Sequence, residues 1–393
     1  MSVPFINGSI RRILVVRLSA MGDVLHTLPA VTALNRLFPR AFIGWAIEER
    51  WAELLCSREA ARRGPRCLEK PLVDTLHIVN TRNWRRAPFS DETWKEILGA
   101  IREIRELEYD VAIDFQGAIR SAVLAQLSRA PEIVGFRSPR EHVASMFYNR
   151  PVIAAGRHIV EQNLSLLAPL ARGPHPAAAE CASAVELPFD PINEQWADGE
   201  LRQLDFCPGQ FAILNPGAGW GAKCWPPERY GEVARALGEL GLKSLVNVGP
   251  GEEPLAQAVE QASGGVAKAV PYTIGELIAL TRRARLFIGG DTGPAHLAAA
   301  LRVPVVAIFG PTDPARNGPY SPQAIVLRSP ESRTSHARRV QPDEALLSIS
   351  SGDVVNAARR LLDQAGVPHL RSRSGTSHDP AGFSQTAPEL RRD

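Results

Sequence analysis

The sequence predicts an α/β protein with two successive domains, each built around a parallel β-sheet. Short runs rich in Val and Ile alternate with amphipathic helical patterns along most of the chain, and this alternation is typical of βαβ units. The alternation stops once, in a segment rich in Ala and Pro, and then starts again. A chain of 393 residues also exceeds what one hydrophobic core usually holds. These observations together favour two domains of similar build.

The first domain is predicted from five runs that have the character of buried strands. The runs are RILVVRL, FIGWAIEE, TLHIVNT, YDVAIDFQG and EIVGF. Nearly continuous apolar runs of this length are expected when helices cover both faces of a parallel sheet. Between them, apolar residues recur with helical spacing from Leu25 to Leu37 and from Ile97 to Leu107. We therefore predict an N-terminal α/β domain over residues 1–172.

The segment 173–190 is predicted to be an interdomain linker, because it loses the periodicity and is rich in Ala and Pro. A second series of strand-like runs follows: FAILNPG, KSLVNVG, VAKAV, RLFIGG and VPVVAIFG. These runs predict a second α/β domain over residues 191–345, followed by a C-terminal helix over residues 346–366. The polar stretch 367–393 lacks apolar periodicity and is predicted to be disordered.

Composition narrows the class of function. The formal charge of +3 is too mild for a typical nucleic-acid-binding protein, so no nucleic-acid partner is expected. Five cysteines without a CxxC pair favour neither a zinc site nor a disulfide framework, and the sequence has no HExxH or DxD pattern. We expect no metal and no organic cofactor. No apolar stretch approaches the roughly 18 residues of a membrane span, which favours a cytoplasmic protein.

The motif FIGGDTGPAHLAAAL is the most informative pattern in the second domain. A predicted strand ends in two glycines, and a helix then starts near Pro294. The backbone N–H groups of Thr292 and Gly293 would point out of the helix N-terminus, which is a favourable site for a nucleotide phosphate. Asp291 would accept hydrogen bonds from sugar hydroxyls, and His296 would face the ligand or the core. Simple helix capping by Asp291 and Thr292 is an equally good explanation from spacing alone.

Two further loops follow strands of the same domain. In NPGAGWGAKCWPPERY, Gly217 and Gly219 would let the backbone approach a ligand, and Lys223 could neutralise a diphosphate. In NVGPGEEP, Glu252 could accept hydrogen bonds from ribose or sugar hydroxyls. Because open parallel sheets bind ligands at the carboxyl ends of their strands, the three loops predict a nucleotide-sugar or dinucleotide site. A solvated surface lysine and a surface carboxylate are the alternatives.

The first domain combines one carboxylate with several arginines. Asp23 lies in MGDVLHTLPA at the start of a predicted helix, where it could be a helix cap or a base. The arginines follow predicted strands, and guanidinium groups suit carboxylates and phosphates. They are Arg82, Arg85, Arg86, Arg120 and Arg140. A solvated basic surface is the alternative interpretation of each group, whereas an anionic acceptor would explain all of them.

Six motifs in order, from about Arg12 to Leu362, resemble glycosyltransferase family 9. They are RLSAMGDVLHTLPAV, DFQGAIRSA, GFRSPREHVASMFYNRP, HIVEQN, NPGAGWGAKCWPPERY and GGDTGPAHLAAALRVPVVAIFGPTDP. The resemblance implies a GT-B fold, in which two Rossmann-like domains face each other across a cleft. It also implies an enzyme peripheral to the inner membrane that inverts the donor's anomeric centre without a metal. The implied donor is ADP-L-glycero-D-manno-heptose, and the implied acceptor is the 3-deoxy-manno-octulosonic acid (Kdo) region of Kdo-lipid A.

The resemblance also implies roles for individual residues. Asp23 matches the general base, and Lys223 matches the lysine that binds the donor phosphates. The segment with Asp291, Thr292, Gly293 and His296 matches the donor-binding segment, and the arginines fall on the side of the acidic acceptor. Three alternatives stay open: a family member with another nucleotide sugar or acceptor, a sugar-nucleotide epimerase of the same fold, and a non-catalytic binding protein.

Overall fold

The computed structural model describes residues 10–170, 177–335 and 341–364. These residues form two parallel six-stranded sheets, one in each half of the chain. The N-terminal sheet contains β1 (Arg12–Val16), β2 (Phe42–Glu48), β3 (Thr75–Val79), β4 (Val111–Asp114), β5 (Glu132–Phe136) and β6 (Arg150–Val152), in the order β3-β2-β1-β4-β5-β6. The C-terminal sheet contains β7 (Phe211–Asn215), β8 (Lys243–Val248), β9 (Ala267–Pro271), β10 (Leu286–Gly290), β11 (Val305–Phe309) and β12 (Ala324–Arg328), in the order β12-β11-β10-β7-β8-β9.

Helices connect the strands of both sheets. In the N-terminal half they are α1 (Met21–Leu25), α2 (Leu28–Leu37), α3 (Thr81–Arg86), α4 (Asp91–Glu106), α5 (Ile119–Leu127), α6 (Ile159–Ser165) and α7 (Ala178–Ser183), with 3₁₀ turns at Glu49–Leu54 and His142–Phe147. In the C-terminal half they are α8 (Pro191–Gln203), α9 (Pro227–Glu239), α10 (Glu253–Ala262), α11 (Ile274–Arg283), α12 (Gly293–Ala300), α13 (Pro314–Asn317), α14 (Glu344–Leu347) and α15 (Ser351–Gln364), with a 3₁₀ turn at Gly221–Lys223. This architecture confirms the predicted α/β class with two Rossmann-like sheets.

All ten strand-like runs of the sequence form strands, but two edge strands, β6 and β12, were not predicted. The helical pattern from Leu25 to Leu37 also divides into α1 and α2. Pro29 lies in the first turn of α2, where its missing N–H needs no partner; inside one continuous helix it would remove a hydrogen bond. The short α1 ends at Leu25, and α2 begins separately at Leu28.

The predicted linker contains more structure than its composition indicated. Residues 173–176 lie outside the described part of the chain, but α7 forms at Ala178–Ser183 and buries Cys181 completely. An ion pair between Arg36 on α2 and Glu180 (Nη1 to Oε1, 2.6 Å) ties α7 to the N-terminal half. The loss of periodicity was misread as a loss of structure, because a helix of six residues is too short to show a repeat.

The C-terminal helix α15 begins at Ser351 and is described as far as Gln364. It buries Val354, Ala358 and Leu361 in the core around the C-terminal sheet. In the structure, the first residues of the segment predicted as a helix over 346–366 belong to α14 and the turn after it, and α15 follows as far as Gln364. The predicted disordered stretch 367–393 lies outside the described residues. Among the described helices, none is long and apolar enough to cross a bilayer.

The core of the N-terminal half extends into the C-terminal half. Leu277 and Ile278 on α11 and Leu297 on α12 are buried in the same apolar cluster as residues of β1, α1 and α2. Helices α11 and α12 therefore pack against the N-terminal half, and α12 brings the carboxyl end of β10 close to the carboxyl end of β1.

Candidate active site

The two halves meet most closely where α1 and α12 touch. A Cβ on Gly293, the first residue of α12, would lie 2.6 Å from the Sδ of Met21, and a Cβ on Gly22 would lie 2.8 Å from Cδ2 of His296. Such distances are shorter than any real Cβ contact, so only glycine permits this approach. Each helix begins just after the carboxyl end of a central strand, β1 or β10. The loops that sequence analysis assigned to base and phosphate binding are therefore neighbours in space.

Asp23 lies in this contact region, one residue after Gly22. Its Oδ1 pairs with Nη2 of Arg17 at 2.8 Å, and its Oδ2 accepts a hydrogen bond from the backbone N–H of Ala20 at 3.2 Å. Its side chain still keeps 41% of its surface exposed. Asp23 is the third residue of α1 and Ala20 is the N-cap. The carboxylate is thus oriented by two donors and accessible to a ligand.

Arg17, which sequence analysis did not select, orients Asp23 from the end of β1. Its side chain is 7% exposed, and its Nη1 donates a hydrogen bond to the backbone oxygen of Phe115. Its own backbone oxygen accepts from Nε1 of Trp45 at 3.0 Å. A buried arginine requires a partner, and a charged residue that interrupts the apolar run RILVVRL was the available signal for it.

Arg120 is held by three neighbours. Its Nη2 donates to Oγ of Ser19 at 3.1 Å and its Nη1 to Oγ1 of Thr81 at 3.2 Å. The buried Glu48 lies 3.9 Å from Nη1 and accepts a hydrogen bond from Thr81. Sequence analysis also missed Glu48, which appeared there only as the end of a strand. The last residue of β2 and residues that follow β1 and β3 thus converge around one guanidinium group.

The turn before α5 has a fixed shape that places Arg120. Asp114, at the end of β4, is buried and accepts hydrogen bonds from the backbone N–H of Gln116 (2.8 Å) and from Oγ of Ser121 (2.9 Å). Gly117 follows with φ +65°, a left-handed conformation that favours glycine. Burial raises the pKa of Asp114, although these hydrogen bonds oppose the rise. The turn is therefore internally braced and leaves Arg120 partly exposed.

The remaining predicted arginines divide into two groups. Arg85 and Arg140 are exposed. Burial is the main cause that lowers the pKa of Arg120; the positive charges of Arg85 and Arg140 lower it further, whereas the carboxylate of Glu48 raises it. Arg82 and Arg86 are exposed on α3, and no hydrogen bond or ion pair joins either of them to another described residue. The structure therefore brings Arg85 and Arg140 near Arg120 and leaves Arg82 and Arg86 exposed.

On the opposite side of the contact, Lys223 forms an ion pair with Asp291. Both side chains are nearly buried, at 11% and 9% exposure, and the ammonium also lies 4.2 Å from the ring centre of Trp220. Nε2 of His296 is 3.5 Å from the second oxygen of Asp291. Burial alone would raise the pKa of Asp291, but His296 and Lys223 together lower it below its ordinary value. Asp291 is therefore a charged group that holds Lys223 in place.

The start of α12 keeps the features expected of an anion site. The Thr292 side chain does not cap the helix; its hydroxyl instead lies 3.4 Å from the donor Nδ2 of Asn215. The first N–H groups of the helix are consequently not taken by the residue that would ordinarily cap it. This geometry disfavours the capping interpretation, since Thr292 does not cap and Asp291 pairs with Lys223 and His296.

Glu252 and Gly217 lie against each other. The Glu252 carboxylate accepts a hydrogen bond from the backbone N–H of Gly249 at 3.0 Å, and a Cβ on Gly217 would come within 2.1 Å of the carboxylate atoms. Burial raises the pKa of Glu252. A Cβ on Gly219, in contrast, would meet no atom within 4 Å. Glu252 therefore packs on the lysine loop, and the backbone around Gly219 borders open space.

Three histidines from separate segments gather beside the same contact. The ring centres of His26 and His296 are 4.2 Å apart, and those of His26 and His158 are 5.4 Å apart. Nε2 of His158 is 2.9 Å from the backbone oxygen of Gly318 in the C-terminal half. Burial is the main cause that lowers the pKa of His26 and of His158. Within the described ranges, no three His, Cys, Asp or Glu side chains are arranged to hold a metal ion.

Comparison with known proteins gives a consistent result. A family model described as glycosyltransferase family 9 (heptosyltransferase) matches residues 97–346. Lipopolysaccharide heptosyltransferase 1 of Pseudomonas aeruginosa is 31% identical over 329 residues, which cover 81% of this chain and 84% of that protein. The Salmonella typhimurium protein of the same name is 30% identical over 330 residues, covering 81% and 95%. The structure of Escherichia coli heptosyltransferase WaaC with ADP-2-deoxy-2-fluoro heptose superposes with a TM-score of 0.67 at 26% identity, covering 90% of this chain and 100% of that chain.

Proposed function

The chain belongs to glycosyltransferase family 9, and from this premise we propose that it transfers heptose from ADP-heptose to the inner core of lipopolysaccharide. The finer proposal is that the donor is ADP-L-glycero-D-manno-heptose and the acceptor is the Kdo region of Kdo-lipid A. The observation that supports it best is the contact of α1 with α12, because it brings a positioned carboxylate next to a helix N-terminus that has no side-chain cap. The named relatives and the ADP-heptose analogue in the WaaC structure support the donor.

We assign the donor to the C-terminal half. The N–H groups at Thr292 and Gly293 would hold the diphosphate, and Lys223 would neutralise the charge that develops on the departing ADP. Asp291 and His296 would keep the lysine and the helix terminus in position. The open backbone around Gly219 would let the donor approach the loop closely, with Glu252 packed beneath it. This charge neutralisation by Lys223 and backbone groups is the basis for proposing a transfer that requires no metal.

We assign the acceptor to the N-terminal half. An acceptor hydroxyl would attack the anomeric carbon of heptose from the face opposite ADP, so that a new C–O bond forms as the bond to phosphate breaks. Asp23 would take the hydroxyl proton in this step, and the configuration at the anomeric carbon would invert. Arg17 would hold the Asp23 carboxylate towards the hydroxyl. Arg120, with Arg85 and Arg140 nearby, would bind the acidic groups of the acceptor.

The acceptor assignment predicts that Arg120→Lys raises the KM for the Kdo acceptor at least about tenfold, because a lysine cannot reproduce the forked contact of a guanidinium with a carboxylate. The KM for ADP-heptose should stay within about twofold of the wild-type value. Steady-state kinetics with each substrate varied separately measures both. Arg235→Lys on α9, in the C-terminal half, is the matched control. A larger change in the donor KM than in the acceptor KM would contradict the assignment.

We further propose that the enzyme works at the cytoplasmic surface of the inner membrane as a peripheral protein. The proposed acceptor is a lipid, so its headgroup must be reached from the water phase. The arginines around Asp23 would meet an anionic surface favourably.

One assay tests the proposed function directly. The protein is incubated with ADP-heptose and Kdo-lipid A in the presence of EDTA. ADP release is followed over time, and the molecular mass of the lipid product is measured by mass spectrometry. We expect one added heptose per lipid and release of one ADP. Transfer only from another nucleotide sugar, or only to another acceptor, would indicate a member of the family with a different donor or acceptor. Conversion of the sugar nucleotide without an acceptor would favour an epimerase, and binding without turnover would favour a non-catalytic protein.

A further inference from the structure

We propose that residues 81–98, which comprise α3, the turn after it and the first half of α4, form a docking hairpin that binds the surface of an anionic phospholipid bilayer. This inference rests on the proposed function, because it names the surface by which the enzyme would reach a lipid acceptor.

The docking hairpin exposes apolar side chains that a water-facing helix pair would ordinarily bury. Phe89, in the turn between the helices, is 94% exposed, and Trp94 and Leu98 on α4 are 53% and 61% exposed. Trp94 and Leu98 are four residues apart and so lie on the same face of α4. Aromatic and aliphatic side chains that project together from a surface indicate a binding site for a protein or a membrane.

The basic residues of the docking hairpin favour the membrane. Arg82 and Arg86 are four residues apart and share one face of α3. Both are exposed, and no carboxylate among the described residues pairs with them. Of the hairpin's carboxylates, Glu96 accepts a hydrogen bond from Nε1 of Trp84 at 2.9 Å, and Asp91 and Glu92 lie in the first turn of α4. Arginines beside a projecting aromatic residue complement lipid phosphates and acyl chains together, which is the combination that interfacial anchors use.

The position of the hairpin connects it with the site. Helix α3 begins at Thr81, immediately after β3, and the Thr81 hydroxyl accepts the hydrogen bond from Arg120. The inner end of the hairpin therefore borders the proposed acceptor pocket, while Phe89 lies at the opposite end of α3. A bilayer bound by the docking hairpin would bring the headgroup of an embedded lipid to the mouth of the pocket that contains Asp23.

Vesicle sedimentation tests this surface. The probes are vesicles of phosphatidylcholine with or without phosphatidylglycerol, and the variant is Phe89→Ser/Trp94→Ser/Leu98→Ser. Ile192→Ser on α8 is the matched control, because Ile192 is 61% exposed and lies in the C-terminal half. We expect the wild type and the control to bind phosphatidylglycerol vesicles and the triple variant to bind at least about tenfold more weakly. Equal binding by the triple variant would overturn the proposal.

A second variant tests the basic component. Arg82→Gln/Arg86→Gln should weaken binding to phosphatidylglycerol vesicles by roughly tenfold or more and reduce its dependence on salt. Thermal unfolding of each variant checks that the fold is intact, which we expect because the replaced side chains are exposed. Unchanged binding to phosphatidylglycerol, or equally strong binding to pure phosphatidylcholine, would contradict recognition of an anionic surface. Saturable binding to a protein in place of vesicles would reassign the hairpin to a protein partner.

Activity measurements separate this inference from the proposed function. The apolar triple variant should transfer heptose to a water-soluble Kdo oligosaccharide at the wild-type rate, but at least about tenfold more slowly to Kdo-lipid A embedded in vesicles. Equal losses on both acceptors would contradict a docking role. If the wild type modifies neither acceptor while the hairpin variants still lose vesicle binding, the proposed function fails and the docking surface stands.

Discussion

Replacement of Asp23 by asparagine is expected to lower kcat for heptose transfer by about 100- to 10,000-fold, the range usually associated with loss of a general base. Asparagine has nearly the same shape as aspartate and can still accept a hydrogen bond from Arg17, so the position of α1 should persist. An amide cannot take the acceptor proton, however. The affinity for ADP-heptose should stay within about twofold of the wild-type value, because Asp23 lies on the opposite side of the contact between the two halves.

Two measurements check this prediction. Steady-state transfer to Kdo-lipid A gives kcat, and calorimetric titration with ADP-heptose gives the donor affinity. Glu239→Gln, at the exposed end of α9, makes the same chemical change away from the site and should leave both values unchanged. A fully active Asp23→Asn variant would show that Asp23 is not the general base. A variant that loses only affinity for ADP-heptose would show that Asp23 binds the donor and does not act on the acceptor.

Replacement of Lys223 by methionine is expected to lower kcat/KM for ADP-heptose by about 100- to 1,000-fold, the usual consequence of removing one group that stabilises developing negative charge. Steady-state kinetics with ADP-heptose as the varied substrate measures this loss. The matched control is Lys243→Met. The ammonium of Lys243 likewise forms an ion pair, with Asp205 at 2.7 Å, and lies 5.4 Å from the ring centre of Phe206. Because Lys243 lies outside the site, its replacement should change kcat/KM less than twofold.

The ion pair between Lys223 and Asp291 requires a second variant. In Lys223→Met, the buried Asp291 carboxylate keeps His296 as its remaining partner among the described residues. In Lys223→Met/Asp291→Asn both charges are absent, so any loss of thermal stability in the single variant should be largely reversed. Activity should stay low, since nothing replaces the ammonium at the diphosphate. Recovery of wild-type kcat/KM in the double variant would show that Lys223 acts only by neutralising Asp291.

The sequence was sufficient to predict the central strands of both sheets, because strands covered by helices on both faces must be nearly continuous apolar runs. It was sufficient also for the edge strands β3 and β9, but not for the edge strands β6 and β12. β6 has only three residues, Arg150–Val152, and no residue of β12 is fully buried. A strand at the edge of a sheet has a partner on one side only, so its sequence carries a weaker apolar signal. The same reasoning applies to α7, whose six residues are too few to show a helical period.

The loops were predicted in their correct places, but the partners of their side chains were not. Glu252 was predicted to accept hydrogen bonds from ribose or sugar hydroxyls. In the structure its carboxylate packs on Gly217 and accepts a hydrogen bond from the backbone N–H of Gly249. Lys223 was expected beside a phosphate and pairs with Asp291, 68 residues away in the chain. Arg17 and Glu48 were not selected at all, because each lies at the end of a strand whose neighbours identified it only as core.

The sequence alone determined the α/β class, the series of strands, the loops that follow them and the six motifs of the family, since each of these is a property of neighbouring residues. The tertiary structure decided which loops meet. Two glycines allow α1 to touch α12, and this contact places the turn that contains Asp23 beside the start of a helix in the other half of the chain. The tertiary structure also decided that Arg120 is half-buried while Arg82 and Arg86 are exposed. Burial and ion pairing depend on residues distant in the sequence, so no local pattern can specify them.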